Sequence, residues 1–454
     1  MGRAALPSVL LLVAGCLGPP GAPGGDGAPP DGAPGDGGRD AGAPDPEAPV
    51  QIAAGYQHSC ARCGDGRITC WGLNDSGQLG DHQESDPERS PVPVAVLEEA
   101  GGDPLRGAIE VATGFLHTCA RKLDGTVWCW GADGSGQLGD GGELAGSLAP
   151  VPVMTADGAL LAGAVDIAAG GHHGCALVAG GSLWCWGSNA FGQLGVEGWT
   201  GAEDRRPAAV EVAVPDGVEL LELAAGGEHT CAVGRDTASG TRHVWCWGRN
   251  NLGQIGAAEP GDMENRLTPV MVLREPDEAG TTDDIPLGGA ARVGAGNRFS
   301  CAAADSPDEL LCWGENKLHA LGDDTLPEAD HGATAWKARS TVIDLTEPVA
   351  EIGGGEAFAC ARLASGLALC WGGNDVGQLG RSSESQWEGP ARVGAGGEVV
   401  AATGLAVGFA HACALTEKGE VLCWGDNSRG QLGDGTLTMR DAPVPVESPC
   451  AVER

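Results

Sequence analysis

The chain has 454 residues, with 78 Gly and 29 Pro but only one Tyr and five Phe, and a formal net charge of −35 at pH 7. A surface of that sign repels phosphate, and the sequence has no basic patch, so nucleic-acid binding is not expected. Frequent Gly and Pro between regular apolar runs indicate an all-β fold rich in turns.

The first sixteen residues have the form of a bacterial export signal. A short basic segment with Arg3 precedes an apolar run, which ends in Val-Ala-Gly followed by Cys16. Small residues before a cysteine resemble a lipobox, in which Cys16 is lipidated and becomes the mature N-terminus. The alternative is an ordinary signal peptide in which the cysteine occurs by chance. Because Leu17 rather than Asp follows, we expect export to the outer membrane or cell surface, with a lipid anchor.

Residues 17–49 form a tract of Gly, Pro, Ala and Asp that has little apolar surface to bury. This composition predicts a disordered segment, and a flexible chain of about 33 residues has a typical reach of roughly 30 Å. We therefore interpret residues 1–16 as signal and lipidation site, 17–49 as a tether and 50–454 as the folded domain. No later stretch approaches about 18 consecutive apolar residues, so no membrane span is predicted.

From Val50 onward the chain is built of seven repeats with a period of about 57 residues. Each repeat has an apolar run ending in small residues, and then two short runs around a turn, which predict a β-hairpin. Segments such as Pro91–Val94 and Pro150–Val153 predict a fourth strand at an edge, because proline cannot donate to a strand ladder. Four strands in each of seven repeats predict a seven-bladed β-propeller.

A Gly-Gln-Leu-Gly element follows the hairpin, first at Gly77–Gly80 and last at Gly430–Gly433, and it is altered at Gly253–Gly256 and His319–Gly322. Its glycines suit positive φ angles, and its leucine is suited to fill the gap to the next blade. We interpret the element as turn chemistry rather than as seven ligand sites.

The two halves of the repeat, Ala-Ala-Gly-x-x-His-(Ser/Thr)-Cys-Ala and Cys-Trp-Gly-x-Asn-x-x-Gly-Gln-Leu-Gly, resemble the repeat of the regulator of chromosome condensation family. The resemblance covers residues 50–447, approximately, and implies a seven-bladed β-propeller. Two features depart from it. Cysteines stand where intracellular members commonly have Ser, Leu or similar residues, and this chain is acidic with an export signal. The namesake's nucleotide exchange on a small GTPase is therefore not carried over.

Seventeen cysteines in an exported protein indicate disulfides. Each hairpin places its two cysteines on opposite strands, which predicts one bridge in each blade. The alternative is that they are buried thiols packing as small apolar residues. The predicted pairs are Cys60–Cys70, Cys119–Cys129, Cys175–Cys185, Cys231–Cys246, Cys301–Cys312, Cys360–Cys370 and Cys413–Cys423.

Two cysteines remain once Cys16 and these pairs are set aside, namely Cys63 and Cys450. We expect the strand Pro443–Val446 to pair with blade 1, so that the N- and C-terminal strands close the ring in one blade. That closure would bring Cys63 and Cys450 together, and we predict a disulfide between them. The alternative is two independent thiols, or one thiol that links to another molecule.

No residue pattern indicates catalysis, a cofactor or a metal. The repeated histidines give way to Phe299 and Phe358 in two repeats, as packing residues do and catalytic residues do not. The lone Cys60-x-x-Cys63 lacks the second pair that zinc requires. Acidic loops at 274–284 and 322–330 are interpreted as solvated surface, with weak calcium binding as the alternative. The repeated histidines mentioned above are His58, His117, His173, His229 and His411.

These features favour a non-enzymatic protein-binding scaffold at the cell surface or in the periplasm. One alternative is an inhibitor, since secreted bacterial propellers of the resembling family include proteins that cap another enzyme. Another is an enzyme with its site at the mouth of the channel, but the loop acids are scattered and Tyr is nearly absent. We expect a protein partner, no nucleic acid, membrane contact only through the lipid anchor, and a monomer.

Overall fold

The computed structural model describes residues 45–82, 88–198, 201, 203–256, 263–274, 285–286, 289–304, 310–322, 345, 347–383, 385–395 and 398–451. The predicted signal with Cys16 and the tether up to residue 44 lie outside the described residues. The compact unit of the chain spans residues 44–454. Among the described residues, no helix has the length and apolarity needed to cross a bilayer.

Seven antiparallel sheets form the seven blades predicted from the repeats. In each sheet the strands are consecutive in the chain, and the first strands end at the central channel. Six sheets have four strands, and the fifth has three within the described residues. The all-β, seven-bladed fold class is therefore confirmed.

The strands of blades 1 to 4 are β1 Pro49–Ala54, β2 His58–Cys63, β3 Ile68–Leu73 and β4 Arg89–Ala95; β5 Ala108–Thr113, β6 His117–Lys122, β7 Val127–Gly131 and β8 Ser147–Pro152; β9 Ala164–Ala169, β10 His173–Val178, β11 Ser182–Ser188 and β12 Arg205–Val212; β13 Val218–Ala225, β14 His229–Asp236, β15 Arg242–Gly248 and β16 Arg266–Met271. The strands of blades 5 to 7 are β19 Ala290–Ala295, β20 Phe299–Ala304 and β21 Leu310–Gly314; β22 Val349–Gly354, β23 Phe358–Leu363, β24 Ala368–Gly373 and β25 Trp387–Arg392; β28 Ala402–Val407, β29 His411–Thr416, β30 Val421–Gly425 and β31 Arg440–Pro445. Two short ladders, β17 Leu273–Arg274 with β18 Ile285–Pro286 and β26 Gly394–Ala395 with β27 Glu398–Val399, and a 3₁₀ turn, Lys317–His319, complete the described elements.

The central hairpin of each blade forms where the sequence predicts it. In blade 1, β2 pairs with β3 so that Cys60 lies directly opposite Cys70. The Asp65 carboxylate in the turn accepts a hydrogen bond from the backbone N–H of Arg67 at 3.1 Å. Gly66, between Asp65 and Arg67, has a φ of 81°, which glycine adopts without steric cost. The Asp-Gly sequence thus fixes the hairpin turn.

The hydrophobic core is divided among the interfaces between blades. At the first interface, Leu79 of the Gly-Gln-Leu-Gly element is fully buried in one cluster with Trp130 of blade 2. Its backbone N–H donates to Asn74 Oδ1 at 3.0 Å, and the Trp130 indole donates to the Gln78 carbonyl at 3.0 Å. The element is therefore a turn that places a leucine between blades, as predicted. Each of the seven interfaces has such a cluster.

The predicted strand pairing at the ring closure is wrong. The segment Pro443–Val446 does not join blade 1; its residue Val444 lies opposite Cys423 of the same blade. Blade 1 has its own outer strand, Arg89–Ala95, in which Val94 lies opposite Cys70. Because blades 1 and 7 each contain all four of their own strands, no strand is left over to be shared at the closure. Blades 7 and 1 close through side-chain packing like that of the other interfaces.

The C-terminal tail crosses this closing interface. Thr69 of blade 1 donates its hydroxyl to the Pro449 carbonyl at 2.5 Å, and Arg67 donates to the Cys450 carbonyl at 3.2 Å. The structure joins Cys63 and Cys450 in a disulfide, with a Cα–Cα distance of 5.7 Å. Cys63 and Cys450 are therefore paired as predicted, but the reason differs from the predicted one. The C-terminal tail crosses from blade 7 to blade 1, and the two blades share no strand.

Each blade also has a disulfide in its central hairpin, between the cysteines that the sequence pairs. The Cα–Cα distances are 4.0–4.1 Å, which is close to that of directly opposite residues in a narrow antiparallel pair. All fourteen side chains are at most 2% exposed. The blade cysteines therefore belong to the interblade cores.

Candidate functional site at the mouth of the central channel

Two faces of the propeller differ in the loops that they carry. Because strands alternate in direction within each sheet, the loops after the first and third strands share one face, which we call the mouth face. The hairpin turns and the connections between blades lie on the opposite face, the turn face. The described chain enters blade 1 at Pro49, on the turn face.

A ring of seven backbone hydrogen bonds surrounds the mouth of the channel. In each blade the second residue after the first strand, which we call the mouth position, donates its N–H to a carbonyl of the next blade at 2.8–3.4 Å. Phe409 of blade 7 donates to Gly55 of blade 1 at 3.0 Å, so the ring is complete. The mouth positions are Tyr56, Phe115, Gly171, Gly227, Asn297, Glu356 and Phe409.

The ring requires the glycine that precedes each mouth position. A Cβ atom at Gly55 would lie 2.5 Å from the Gly114 carbonyl oxygen and 2.6 Å from the His58 ring. A Cβ at Gly408 would lie 2.6 Å from the Gly55 carbonyl oxygen. Neighbouring blades approach this closely only without side chains, which explains the glycine that ends each Ala-Ala-Gly motif.

Below the ring, buried side chains form further hydrogen bonds between blades. His58 Nε2 lies 2.9 Å from Thr118 Oγ1 of the next blade, and Thr118 donates its hydroxyl proton to the Gln78 carbonyl at 2.9 Å. The hydroxyl oxygen therefore accepts from a protonated Nε2. His173, His229 and His411 have equivalent partners, whereas His117 faces Gly174 and lacks one.

At two interfaces the chain changes both members of this pair together. In blade 5, Phe299 replaces the histidine, and its neighbour in blade 6 is Ala359 instead of Ser or Thr. In blade 6, Phe358 replaces the histidine, and its neighbour in blade 7 is Ala412. These positions are packing sites, as the sequence predicts. Burial lowers the pKa to about 3 for His58, His117 and His173 and to about 4 for His229 and His411.

An aromatic cluster occupies one side of the mouth. The rings of Tyr56 and Phe409 are 4.4 Å apart, those of Tyr56 and Phe115 are 5.5 Å apart, and those of Phe115 and Phe409 are 6.1 Å apart. His172 extends the cluster, with its ring 5.6 Å from that of Phe115. These side chains belong to blades 7, 1, 2 and 3 and are half-buried, so their outer surfaces remain accessible at the mouth.

The other side of the mouth is small or polar. Gly171, Gly227, Asn297 and Glu356 stand where the aromatic residues stand in blades 7, 1 and 2. A cavity of about 90 Å³ in the channel is lined by residues of all seven blades. Around this side the charges are paired, as in the ion pair between Lys317 and Glu356 at 2.7 Å.

Charged residues of the first strands line the interfaces nearer the turn face. Asp166 accepts a hydrogen bond from the backbone N–H of Leu223 in the next blade at 2.9 Å. Glu110 forms an ion pair with Arg121 at 2.6 Å. Burial, and then the neighbouring Glu110, raise the pKa of Asp166 to about 8. Asp166 thus links blade 3 to blade 4, whereas Glu110 and Arg121 form their ion pair within blade 2.

Within the described residues no three His, Cys, Asp or Glu side chains are arranged to hold a metal ion. The acidic loops considered for calcium, 274–284 and 322–330, lie mostly outside the described residues. The structure thus brings the predicted cysteines and histidines together in the frame of the propeller. The aromatic cluster was missed, although one signal was available: the mouth position varies while its neighbours repeat.

The fold and the mouth define a closed repeat propeller with a constant frame and a variable opening. Models of the regulator of chromosome condensation (RCC1) repeat match residues 50–78, 108–137, 164–193 and 402–431, and, in a second model, residues 65–121, 124–177, 180–233 and 418–452. Together they cover more than half of the chain. The chain belongs to the RCC1 repeat family.

Three comparisons show how far the likeness extends. The chain is 30% identical over 382 residues to the human E3 ubiquitin-protein ligase HERC2, covering 84% of this chain but 7% of that protein. It is 29% identical over 412 residues to a secretion-regulating guanine nucleotide exchange factor of Bos taurus, covering 84% and 78%. The crystal structure of Prp20p from Saccharomyces cerevisiae, reported with its binding to Gsp1p and histones, superposes with a TM-score of 0.64 at 17% identity and covers 88% of each chain.

Proposed function

We propose that this protein is an exported, lipid-anchored β-propeller that binds another protein and has no catalytic activity of its own. The frame is rigid, because backbone, side-chain and disulfide bonds close every blade and every interface. A rigid frame that presents irregular loops is an arrangement suited to recognition.

The observation that carries the proposal is the departure from the repeat at the mouth. Each mouth position lies between a glycine that the ring requires and a histidine or phenylalanine that the interface requires. The mouth position itself ranges from Gly to Phe to Glu, although its backbone makes the same hydrogen bond in every blade. Freedom of the side chain within a fixed backbone favours a surface adapted to a partner.

One protein of similar fold, Prp20p, is reported with binding to Gsp1p and histones. The acidic composition and the export signal of this chain favour a different partner in a different compartment. The proposal is therefore protein binding in general, without nucleotide exchange.

Site-specific photocrosslinking tests the proposal. Benzoylphenylalanine would replace Gln57 on the mouth face in one full-length protein and Leu123 on the turn face in another, each produced in the source organism. Leu123 is a suitable comparison because it is 79% exposed. A discrete crosslinked protein from one of these faces, displaced by excess protein without the crosslinker, is expected. The proposal fails if neither face yields such a product.

The lipid anchor is tested separately, by metabolic labelling with an alkyne analogue of palmitate. The wild-type chain should be labelled and sediment with membranes. Cys16→Ser should remove both the label and the sedimentation, without changing the fold of the propeller. Labelling that persists in Cys16→Ser would contradict lipidation at this residue.

A further inference from the structure

The aromatic cluster is not needed to close the ring. Gly171 and Gly227 occupy the same position in blades 3 and 4 and make the same backbone hydrogen bond. The chain has only six Phe and Tyr residues, and three of them, Tyr56, Phe115 and Phe409, meet at the mouth on consecutive blades. A structural role alone does not explain why these large side chains are gathered on one side.

Two further apolar side chains stand on the same face of blade 7. Leu437 and Met439 lie in the loop between the last two strands and are 44% and 58% exposed. Met439 also lines a groove of about 350 Å³ between the loops of blades 6 and 7, together with Val376, Asp375 and Asp441. The apolar surface of the mouth face thus continues beyond the channel, and acidic residues flank it.

The mouth face of the blades that carry the cluster is acidic. In the loops between the third and fourth strands of blades 7, 1 and 2, the described residues include eight carboxylates and one arginine. The apolar patch and the excess negative charge therefore coincide.

Resting on the proposed function, we infer that the mouth face of blades 7, 1 and 2 binds a basic loop of a protein partner, with an apolar tip seated on Tyr56, Phe115 and Phe409. Half-buried aromatic residues at the centre of a surface are the usual anchors of protein interfaces. The surrounding carboxylates attract Lys and Arg at the base of the loop.

The single tyrosine provides a direct probe of this surface. Full-length protein carrying Cys16→Ser and labelled with 3-fluorotyrosine has one fluorine resonance, because Tyr56 is the only Tyr in the chain. The ligand is a cyclic peptide in which Leu-Phe-Leu is flanked on each side by Arg and Lys. The control peptide has Glu and Asp at the flanking positions.

The basic peptide should shift the Tyr56 resonance in a saturable manner, and the acidic peptide should leave it unchanged. Raising the NaCl concentration from about 0.1 M to about 1 M should weaken binding at least tenfold, because the Debye length falls from about 10 Å to about 3 Å. Phe115→Ala and Phe409→Ala should each weaken binding at least tenfold, while Leu123→Ala on the turn face should have no effect. Phe409→Leu retains bulk at the mouth and should bind with intermediate affinity.

The inference is overturned if the basic peptide leaves the resonance unchanged, if both peptides bind equally, or if the two Phe→Ala variants bind as wild type does while remaining folded. Circular dichroism of each variant establishes folding, and the Phe409→Leu variant serves if an alanine variant unfolds. A crosslinked partner from the turn face, together with a negative peptide result, would preserve protein binding and refute this surface. No crosslinked product from either face would refute the proposed function itself.

Discussion

Lowering the pH from 7 to 5 should destabilise the propeller through the five histidines that are fully buried between blades. In the folded protein, burial holds the pKa of these imidazoles at about 3 to 4, whereas an unfolded chain has His pKa values of about 6.5. The folded state therefore favours the neutral form. The stability contributed by neutrality is fully present above pH 6.5 and is lost as the pH falls toward the folded pKa.

The magnitude follows from the linkage between protonation and unfolding. Between pH 8 and pH 5, each histidine lowers the free energy of unfolding by about 2 kcal/mol. The five histidines together lower it by an amount on the order of 10 kcal/mol. Asp166 and Asp133 act in the opposite direction, since burial raises the pKa of both and their protonation relieves the folded state. The net loss is therefore smaller than the histidine sum, and a matched pair of variants is needed to isolate it.

The chain itself supplies the variant, because blades 5 and 6 combine Phe299 with Ala359 and Phe358 with Ala412. His58→Phe with Thr118→Ala copies that combination at the first interface. Denaturant unfolding followed by tryptophan fluorescence at pH 8, 6 and 5 should show that the double variant loses about 2 kcal/mol less than wild type over this range. Thr118→Ala alone keeps the imidazole and should retain the full pH dependence. Equal pH dependence in wild type and the double variant would refute the argument.

Three further predictions concern single positions. Asp133 replaces the usual Asn, and burial and then Asp140 raise its pKa to about 6; Asp133→Asn should therefore stabilise the protein by about 2–3 kcal/mol at pH 8 and have little effect near pH 3, measured by denaturant unfolding. Cys450→Ser should lower stability by about 4–5 kcal/mol, more than the roughly 2–3 kcal/mol lost with the shorter loop of Cys60–Cys70; mapping of unreduced peptides and thermal melts check the bond and this order. Leu79→Ala should cost about 2–5 kcal/mol by leaving a cavity between blades, and an unchanged melting temperature would exclude the leucine as an interface residue.

The number of blades and the hairpins could be predicted because the hairpin pattern recurs in seven repeats. A single hairpin pattern or a single Pro-Val-Pro-Val segment is weak evidence, but seven copies of the hairpin with its two cysteines leave one arrangement. The end-to-end pairing of Cys63 with Cys450 followed from counting. Its structural basis did not, since the period of a repeat does not state where the ring is closed.

The aromatic cluster escaped prediction for a physical reason. Tyr56 and Phe409 are more than 350 residues apart in the sequence, and their contact exists only once the ring is closed. The coupling of His58 with Thr118 is similar: both residues were visible, but their pairing required knowing which face of each strand meets the next blade. The repeat reveals the frame, and the residues that depart from it become interpretable only in three dimensions.

The bond between Cys63 and Cys450 changes how the molecule responds to cleavage. The polypeptide crosses six of the seven interblade interfaces, and this disulfide crosses the seventh, so the blades form a covalently closed circle. A protease that cuts one loop between blades linearises the circle without releasing any part of it. Two cuts at different interfaces are needed to separate a segment, and after one cut every packed interface still holds its partner close by. A propeller with this topology tolerates a single nick as an open chain of blades would not.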